Sequence, residues 1–156
     1  MGITTKLNLP DYSFRIKTEE YKTFIFDEIR KKFLLLTPEE WVRQNFIKYL
    51  IQEKGFPSSL MAIESGLQIN RNIFRTDLLV YNKKGEPILV VEFKAPKIKI
   101  TQKAFDQIAR YNMKFRTSYL IVSNGMQHYC CMINPKEGNY SFLKNIPSYN
   151  EISTRN

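Results

Sequence analysis

With 156 residues, the chain has the length of one domain and can bury a core without disulfides or a structural metal. Its 24 lysines and arginines against 15 aspartates and glutamates leave a net charge of +9. Such an excess indicates a polyanionic partner, nucleic acid before an anionic membrane, although a basic surface kept for solubility gives the same count. A hydrophobic fraction of 43% excludes an intrinsically disordered chain.

An extended arm is predicted within residues 1–20, with Pro10 and Asp11 as turn formers. The arm has no apolar core of signal-peptide length, and the runs FLLL and ILVV are too short to span a bilayer. We therefore expect a cytoplasmic protein without membrane contact. From Tyr21 to Leu36 the apolar residues fit neither the helical nor the strand period, so a strand and a short helix both stay open.

A helix is predicted to begin at the stretch Thr37-Pro38-Glu39. Thr37 suits the N-cap, Pro38 suits the first helical position, and acids are favourable in the first turn. Gly55 is expected to close the helix. Glu39 projects from the apolar face, whereas Glu40 lies about 100° round the helix. Glu39 is therefore an acid on the predicted core side.

Strand periodicity dominates the rest of the chain, with one more helix within it. The order is helix, three strands, helix, strand, with one or two extra strands behind. The run ILVV is apolar on both faces, as in a central strand. The elements after the first helix are strands from Met61 to Ile69 and from Ile73 to Tyr81, the turn NKKGEP, the strand PILVVEFK, a helix from Thr101 to Phe115, strands SYLIVSN and HYCCMI, and the stretch YSFLKNIP.

Two acids and a lysine lie at the ends of the most hydrophobic strands. Side chains alternate along a strand, so Glu92 and Lys94 share one face while Phe93 points to the other. If the two strands pair antiparallel across the turn NKKGEP, Asp77 becomes a neighbour of Glu92. Two half-buried carboxylates repel each other, which is costly unless a cation lies between them.

Oxygen-only ligands of this kind suit Mg²⁺ or Mn²⁺ rather than zinc. A metal bound there would polarise a phosphoryl oxygen, and Lys94 could orient or deprotonate a water or hold transition-state charge. This is phosphodiester hydrolysis in outline. The alternative is a buried salt bridge of Lys94 with Asp77 or Glu92.

The second helix carries polar residues that suit a nucleic-acid site. Gln107 and Tyr111, at positions i and i+4, share one side of it. Lys103, Arg110 and Lys114 form a basic stripe on the flank beyond Gln107 that could grip a phosphate backbone. A solvated helix face is the alternative for these three charges.

Other polar residues have simpler interpretations. Cys130 and Cys131 are adjacent, which gives neither a disulfide framework nor C-x-x-C zinc spacing, so we expect two buried thiols in a strand. His128 is expected in a strand near a turn, and as the only histidine it cannot supply a histidine-based nuclease site. Trp41 is expected to pack against the N-terminal segment.

Four blocks in this order, PEEWVRQ, RTDLLVY, LVVEFKAP and FDQIARY, resemble the PD-(D/E)xK nuclease superfamily. More narrowly, they are similar to the N-terminal nuclease domain of type I restriction enzyme R (motor) subunits, in a short stand-alone form. The likeness covers Thr37 to Gly125 and departs from the superfamily name at Thr76, which replaces its proline. The ATP-binding pattern G-x-x-x-x-G-K-[ST] does not occur, so DNA translocation by this chain is not expected.

The resemblance implies a single α/β domain with a restriction-endonuclease-like core over residues 37–125 and a central mixed sheet flanked by helices. It implies that Asp77, Glu92 and the Phe93 backbone carbonyl bind Mg²⁺ or Mn²⁺ and that Lys94 is the catalytic lysine. A helix glutamate would complete the acid set. Glu39 is preferred for that role, and Glu40 stays open.

By the same likeness, Gln107 is a catalytic-site residue and Tyr111 lines the DNA site, within the Q-x-x-x-Y motif. Lys97, Lys103, Arg110 and Lys114 complete the predicted DNA-binding set. The implied function is a metal-dependent DNA endonuclease or nuclease module within a larger restriction or defence assembly. The alternatives are a catalytically silent nucleic-acid-binding protein and a structural domain whose acid–lysine trio is an internal ion pair.

Overall fold

The computed structural model describes residues 3–154, so Met1 and Gly2 of the predicted arm lie outside the described residues. Between Tyr21 and Leu36 the chain forms strands, and the arm ends at Arg15 because the first strand begins directly after it. These strands make a small antiparallel sheet. They are, in spatial order, β1 (Ile16–Glu19), β2 (Lys22–Asp27) and β3 (Lys32–Leu35).

Helix α1 (Pro38–Gln52) follows the small sheet and begins where the capping pattern predicts. The Glu40 backbone N–H donates to Thr37 Oγ1 at 3.0 Å, which satisfies one of the free donors of a helix start. Gly55 lies beyond the other end with a φ of 71°, a left-handed conformation that glycine adopts without strain. The predicted helix is confirmed.

Asp27 joins the small sheet to α1. Its side chain is 1% exposed, and its carboxylate accepts hydrogen bonds from Arg30 Nε at 2.7 Å and from Gln44 Nε2 at 3.1 Å. Burial acts to raise the pKa of Asp27, but the hydrogen bonds outweigh it and hold the pKa below its ordinary value. This polar junction covers the side of α1 that carries Glu40, since Arg30 Nη2 also lies 3.5 Å from Glu40 Oε2.

Eight strands and two α-helices follow α1 within the described residues. They are β4 (Met61–Ile63), β5 (Gly66–Ile69), β6 (Asn72–Arg75), β7 (Leu78–Tyr81), β8 (Pro87–Phe93), α2 (Gln102–Asn112), β9 (Tyr119–Ser123), β10 (His128–Asn134), β11 (Asn139–Leu143) and α3 (Tyr149–Ser153).

A six-stranded mixed sheet with the strand order β11-β10-β9-β8-β7-β4 forms the centre of the protein. Its neighbours pair antiparallel except β8 and β9, whose parallel pairing needs a crossover that α2 supplies. The predicted order of helix, three strands, helix and strand is confirmed within this sheet. β10 and β11 are the predicted extra strands.

Two of the predicted strands are wrong in their extent, because each is divided in two. The first becomes β4 and β5, the second becomes β6 and β7, and β5 pairs with β6 as a hairpin outside the central sheet. The first break falls at Glu64, which has a positive φ of 52°, and the second falls at Thr76 and Asp77; neither is a proline or glycine turn. The apolar pattern therefore runs on across them.

Apolar side chains cover both faces of the central sheet. On the α1 face, Phe46 packs against Phe93 with ring centroids 5.7 Å apart. On the α2 face, Phe105 and Leu120 belong to a second buried cluster together with Val90 of β8. Alternate residues of β8 therefore face different helices. None of the helices within residues 3–154 is long and apolar enough to cross a membrane.

The simpler interpretations of polar residues are confirmed. Cys130 and Cys131 are buried in β10, and burial raises the pKa of each thiol to about 12. His128 begins the same strand, and burial lowers its pKa. Trp41 Nε1 donates to the Thr5 carbonyl at 2.8 Å, so its indole packs against the arm.

Candidate active site

The hairpin of β7 and β8 brings Asp77 and Glu92 together. Leu78 pairs with Val91, so that the next step of the ladder places Asp77 opposite Glu92, and the two side chains share a hydrogen bond. The Phe93 backbone N–H donates to Asp77 Oδ2 at 2.7 Å. The predicted register is confirmed, with both acids on one face of the sheet at the end farthest from the turn.

The surroundings of Glu92 favour the protonated form of its carboxyl. Burial, and after it the charge and the hydrogen bond of Asp77, raises the pKa of Glu92 to about 8. Thr76 Oγ1 donates to Glu92 Oε1 at 3.1 Å and acts in the opposite sense, a contact that a proline at this position could not make. At neutral pH and without a cation, the protonated form of Glu92 is therefore favoured.

Lys94 directly follows β8. Its backbone N–H donates to the Ser123 carbonyl at 2.9 Å, which extends the parallel pairing by one residue and fixes its position. Burial is the largest influence on the pKa of Glu92 and of Glu39 and raises both, whereas the Lys94 charge lowers both. Within residues 3–154, none of the ion pairs of 4.0 Å or less joins Lys94 to Asp77 or Glu92, contrary to the salt-bridge alternative.

The two glutamates at the start of α1 have different surroundings. Glu40 is 8% exposed and lies 3.4 Å from Arg43, and Gln44 Nε2 donates to it at 2.8 Å. The Glu39 side chain is 46% exposed, and burial followed by the charge of Asp77 raises its pKa. The expectation that Glu39 is the core-side acid is therefore wrong, because the small sheet buries the Glu40 side of α1. Glu39 is nonetheless the one that faces Asp77.

Helix α2 contributes a cavity beside Glu92. Its volume is about 310 Å³, and the predicted Gln107 and Tyr111 both border it. The Tyr111 hydroxyl accepts a hydrogen bond from the Arg75 backbone N–H at 3.0 Å, so this tyrosine also ties α2 to β6. The residues that line the cavity are Arg75, Glu92, Gln107, Ile108, Tyr111 and Asn112.

The predicted basic stripe lies on the solvent side of α2. Lys103, Arg110 and Lys114 are all exposed, and the Lys114 ammonium lies 3.8 Å from the centre of the Phe74 ring. Lys97 is also exposed, but it borders a different groove of about 430 Å³, beside Pro38 and the N-terminal arm. The four predicted DNA contacts therefore fall on two surfaces.

The acids provide a pair of ligands rather than a triad. Within residues 3–154 there is no group of three or more His, Cys, Asp or Glu side chains that could hold a metal ion. Asp77 and Glu92 are in contact, and loss of the Glu92 proton would leave two adjoining carboxylates as ligands for a cation. Mg²⁺ commonly takes one or two carboxylates and keeps several waters, so two carboxylates fit it.

Two charged residues beside the site escaped the sequence reasoning. Arg43 lies 3.7 Å from both Glu39 Oε1 and Asp77 Oδ1, and Glu64 lies 2.7 Å from Arg43. The spacing of Glu39 and Arg43, i and i+4 on one helix, could have indicated the first contact. Glu64 gives no local signal, because it meets Arg43 only through the tertiary fold.

Comparison with known proteins supplies one match. The family model described as the type I restriction enzyme R protein N terminus matches residues 38–147, which is most of the chain. A search of curated proteins found no match. The matched range contains α1, the β7–β8 hairpin, Lys94 and α2, and therefore every predicted site residue.

Proposed function

This chain belongs to the family of the type I restriction enzyme R protein N terminus, and we propose that it is a Mg²⁺- or Mn²⁺-dependent endonuclease module that hydrolyses phosphodiester bonds in DNA. The observation that carries the proposal is the contact of Asp77 with Glu92, whose pKa is raised to about 8 at the open end of the β7–β8 hairpin. Membership of the PD-(D/E)xK superfamily, with a restriction-endonuclease-like core, is part of the proposal.

In this proposal Asp77, Glu92 and the Phe93 carbonyl hold the ion. The ion would supply positive charge beside the scissile phosphate and lower the pKa of a bound water. Release of the Glu92 proton frees a second carboxylate for binding. Lys94 carries its charge on the same side of the site, where its ammonium can donate to a phosphate oxygen or orient the attacking water.

The remaining predicted residues take supporting roles. Glu39 faces Asp77 from α1 and can accept a proton or a hydrogen bond from a water near the phosphate. Gln107, at the rim of the cavity beside Glu92, would position the DNA strand. Tyr111, with the exposed Lys97, Lys103, Arg110 and Lys114, would contact the DNA backbone, and a larger restriction assembly is the proposed setting.

A second candidate function is nucleic-acid binding without cleavage. The specific observation in its favour is that the described residues offer two adjoining acids and not three. With Glu92 protonated, the two acids repel a phosphate less than two carboxylates would, and the net charge of +9 would support binding by itself.

Cleavage assays separate the two functions. Supercoiled and linear DNA are incubated with wild type, Glu92→Ala and Lys94→Ala, with Mg²⁺ or Mn²⁺ and with EDTA. Lys83→Ala is the matched control, because Lys83 is exposed in the turn at the opposite end of the same hairpin. We expect metal-dependent nicking that is reduced at least about a hundredfold in both site variants and unchanged in the control.

The other outcomes are equally decisive. Salt-sensitive binding without nicking would favour the binding function, since phosphate contacts release counterions. A wild-type protein that neither cuts nor binds DNA would refute both functions. Mn²⁺ should also raise the melting temperature of wild type but not of Glu92→Ala, because a ligand that binds only the folded state stabilises it.

A further inference from the structure

Arg43 lies where α1 meets the proposed metal ligand. Its side chain is 6% exposed, and Nη2 is 3.7 Å from Glu39 Oε1 and 3.7 Å from Asp77 Oδ1. Its other terminal nitrogen, Nη1, lies 2.7 Å from Glu64 Oε1 and 3.4 Å from Glu40 Oε1. One guanidinium thus contacts acids from α1, from the residue before β7 and from the loop after β4.

We propose that Arg43 is a positioning residue, which fixes the Asp77 carboxylate for metal binding and holds Glu39 beside it, and that Glu64 fixes Arg43. The inference rests on the proposed nuclease function for its consequence, although the contacts themselves do not involve a metal. Arg43 would not touch the substrate or the ion.

Each oxygen of the Asp77 carboxylate has its own partner on the protein. Oδ2 accepts from the Phe93 backbone N–H at 2.7 Å, and Oδ1 faces Arg43 Nη2. A side chain held at both oxygens has a defined rotamer, and its remaining lone pairs lie towards Glu92. Without Arg43, the hydrogen bond from Phe93 and the contact with Glu92 would remain to restrain the Asp77 carboxylate.

Glu64 acts on Asp77 and on Arg43 together. Its backbone N–H donates to the Asp77 carbonyl at 2.9 Å, while its carboxylate is the closest partner of Arg43. Glu64 has a φ of 52°, a left-handed conformation that is uncommon for a residue with a side chain. This conformation allows one residue to hold the main chain of Asp77 and the side chain that contacts its carboxylate.

The guanidinium is not placed to satisfy its own hydrogen bonds as fully as possible. Within the described part of the chain, the buried Arg43 Nε finds no hydrogen-bond acceptor. Arg30 Nη2 likewise finds none, so the contacts of Arg43, and not its unpaired nitrogen, distinguish it from Arg30. The contacts that Arg43 does make bring together the acids of the proposed site.

Arg30 provides a matched control for the test. It belongs to the same buried network, with Asp27 at 2.7 Å, Glu40 at 3.5 Å and Glu64 at 3.5 Å, and among the described residues it has no ion pair with Glu39 or Asp77. Arg43→Lys and Arg30→Lys keep the charge and remove the planar fork. A loss caused by general weakening of the network would therefore appear in both variants.

The first measurement is amide hydrogen exchange without metal, at a temperature where each variant is folded. Arg43→Lys should speed exchange of the Phe93 amide, which donates to Asp77, at least about fivefold relative to the other amides of β8. Arg30→Lys should leave that ratio unchanged. Equal exchange in Arg43→Lys and wild type, or equal acceleration in both variants, would overturn the positioning role even if the protein bound no metal.

The second measurement is Mn²⁺ binding, followed by the electron paramagnetic resonance signal of free Mn²⁺. Partners that orient metal ligands typically contribute about 10- to 100-fold to metal affinity, so Arg43→Lys should weaken binding about tenfold or more. Glu64→Gln should weaken it in the same direction, and Arg30→Lys less than about twofold. If wild type binds Mn²⁺ and Arg43→Lys binds it equally well, the positioning role fails while the proposed function stands. If wild type binds none, the proposed function fails and hydrogen exchange decides the role of Arg43.

Discussion

Replacement of Glu92 by glutamine tests whether burial beside Asp77 raises the pKa of the Glu92 carboxyl. The amide of Glu92→Gln resembles the protonated carboxyl in size and can accept the hydrogen bond from Thr76, but it never ionises. In wild type, the pKa of Glu92 rises from 4.5 to about 8, through burial and the neighbouring Asp77. The variant removes this titration and leaves the rest of the site in place.

The sign and size of the effect follow from proton linkage. Between pH 4.5 and about 8 the folded wild-type protein binds more protons at Glu92 than the unfolded chain does, so stability falls as the pH rises. At about 1.4 kcal/mol per pKa unit, the contribution present below pH 4.5 amounts to roughly 5 kcal/mol, and it is lost as the pH passes about 8. Glu92→Gln should therefore be less sensitive to pH and more stable than wild type at alkaline pH.

Urea unfolding in EDTA, followed by the fluorescence of the single tryptophan, measures this difference from about pH 5 to about pH 9. His128, whose pKa is lowered by burial, adds stability as the pH rises, but it does so in both proteins and cancels in the comparison. Glu53→Gln, at an exposed position beyond α1, is the control for loss of one negative charge. A difference between wild type and Glu92→Gln that does not change with pH would refute the raised pKa of Glu92.

Two further substitutions test how the arm is held. Gly125→Ala should lower the free energy of unfolding by about 2–4 kcal/mol, because Gly125 has a φ of +85° and the new methyl would lie 2.7 Å from Leu7. Gly85→Ala, at φ +83° in open space, should cost only about 1–2 kcal/mol, and equal losses in urea unfolding would contradict the role of Leu7. Trp41→Phe removes the hydrogen bond to the Thr5 carbonyl, so it should cost about 1 kcal/mol and speed limited proteolysis of the arm; unchanged proteolysis would count against this anchor.

The contact between the acids was accessible to sequence reasoning because a hairpin is a local structure. Side chains alternate strictly along a strand, and the turn NKKGEP fixes which residues of the two strands meet. Counting back from the turn therefore predicts that Asp77 and Glu92 are near neighbours. A register shift between Val80 and Tyr81, which the sequence does not signal, places Leu78 opposite Val91 and so brings Asp77 opposite Glu92. Thr37 allowed a similar prediction for α1, since capping depends on residues three positions apart.

The small N-terminal sheet was not predictable in the same way. Its first hairpin turns at Glu20 and Tyr21, both at positive φ (50° and 66°), where glycine or asparagine would have given a recognisable turn signal. A positive φ at a residue other than glycine or asparagine gives no local signal, so this turn leaves little trace in the sequence. The break at Glu64 has the same cause, and it is why the role of this residue in contacting Arg43 could not be anticipated.

The choice between the two helix acids depends on that sheet. Helical geometry alone assigns Glu39 to the core, because it considers only the apolar residues of α1 itself. The sheet instead buries the polar side of α1 through Asp27 and Arg30, and Glu40 becomes part of this neutralised network. Glu39 is left half-exposed beside Asp77 with Arg43 between them. The expectation that Glu39 points into the core is therefore wrong. Its place beside Asp77, whose charge helps to raise the pKa of Glu39, still supports Glu39 as the helix acid of the proposed site.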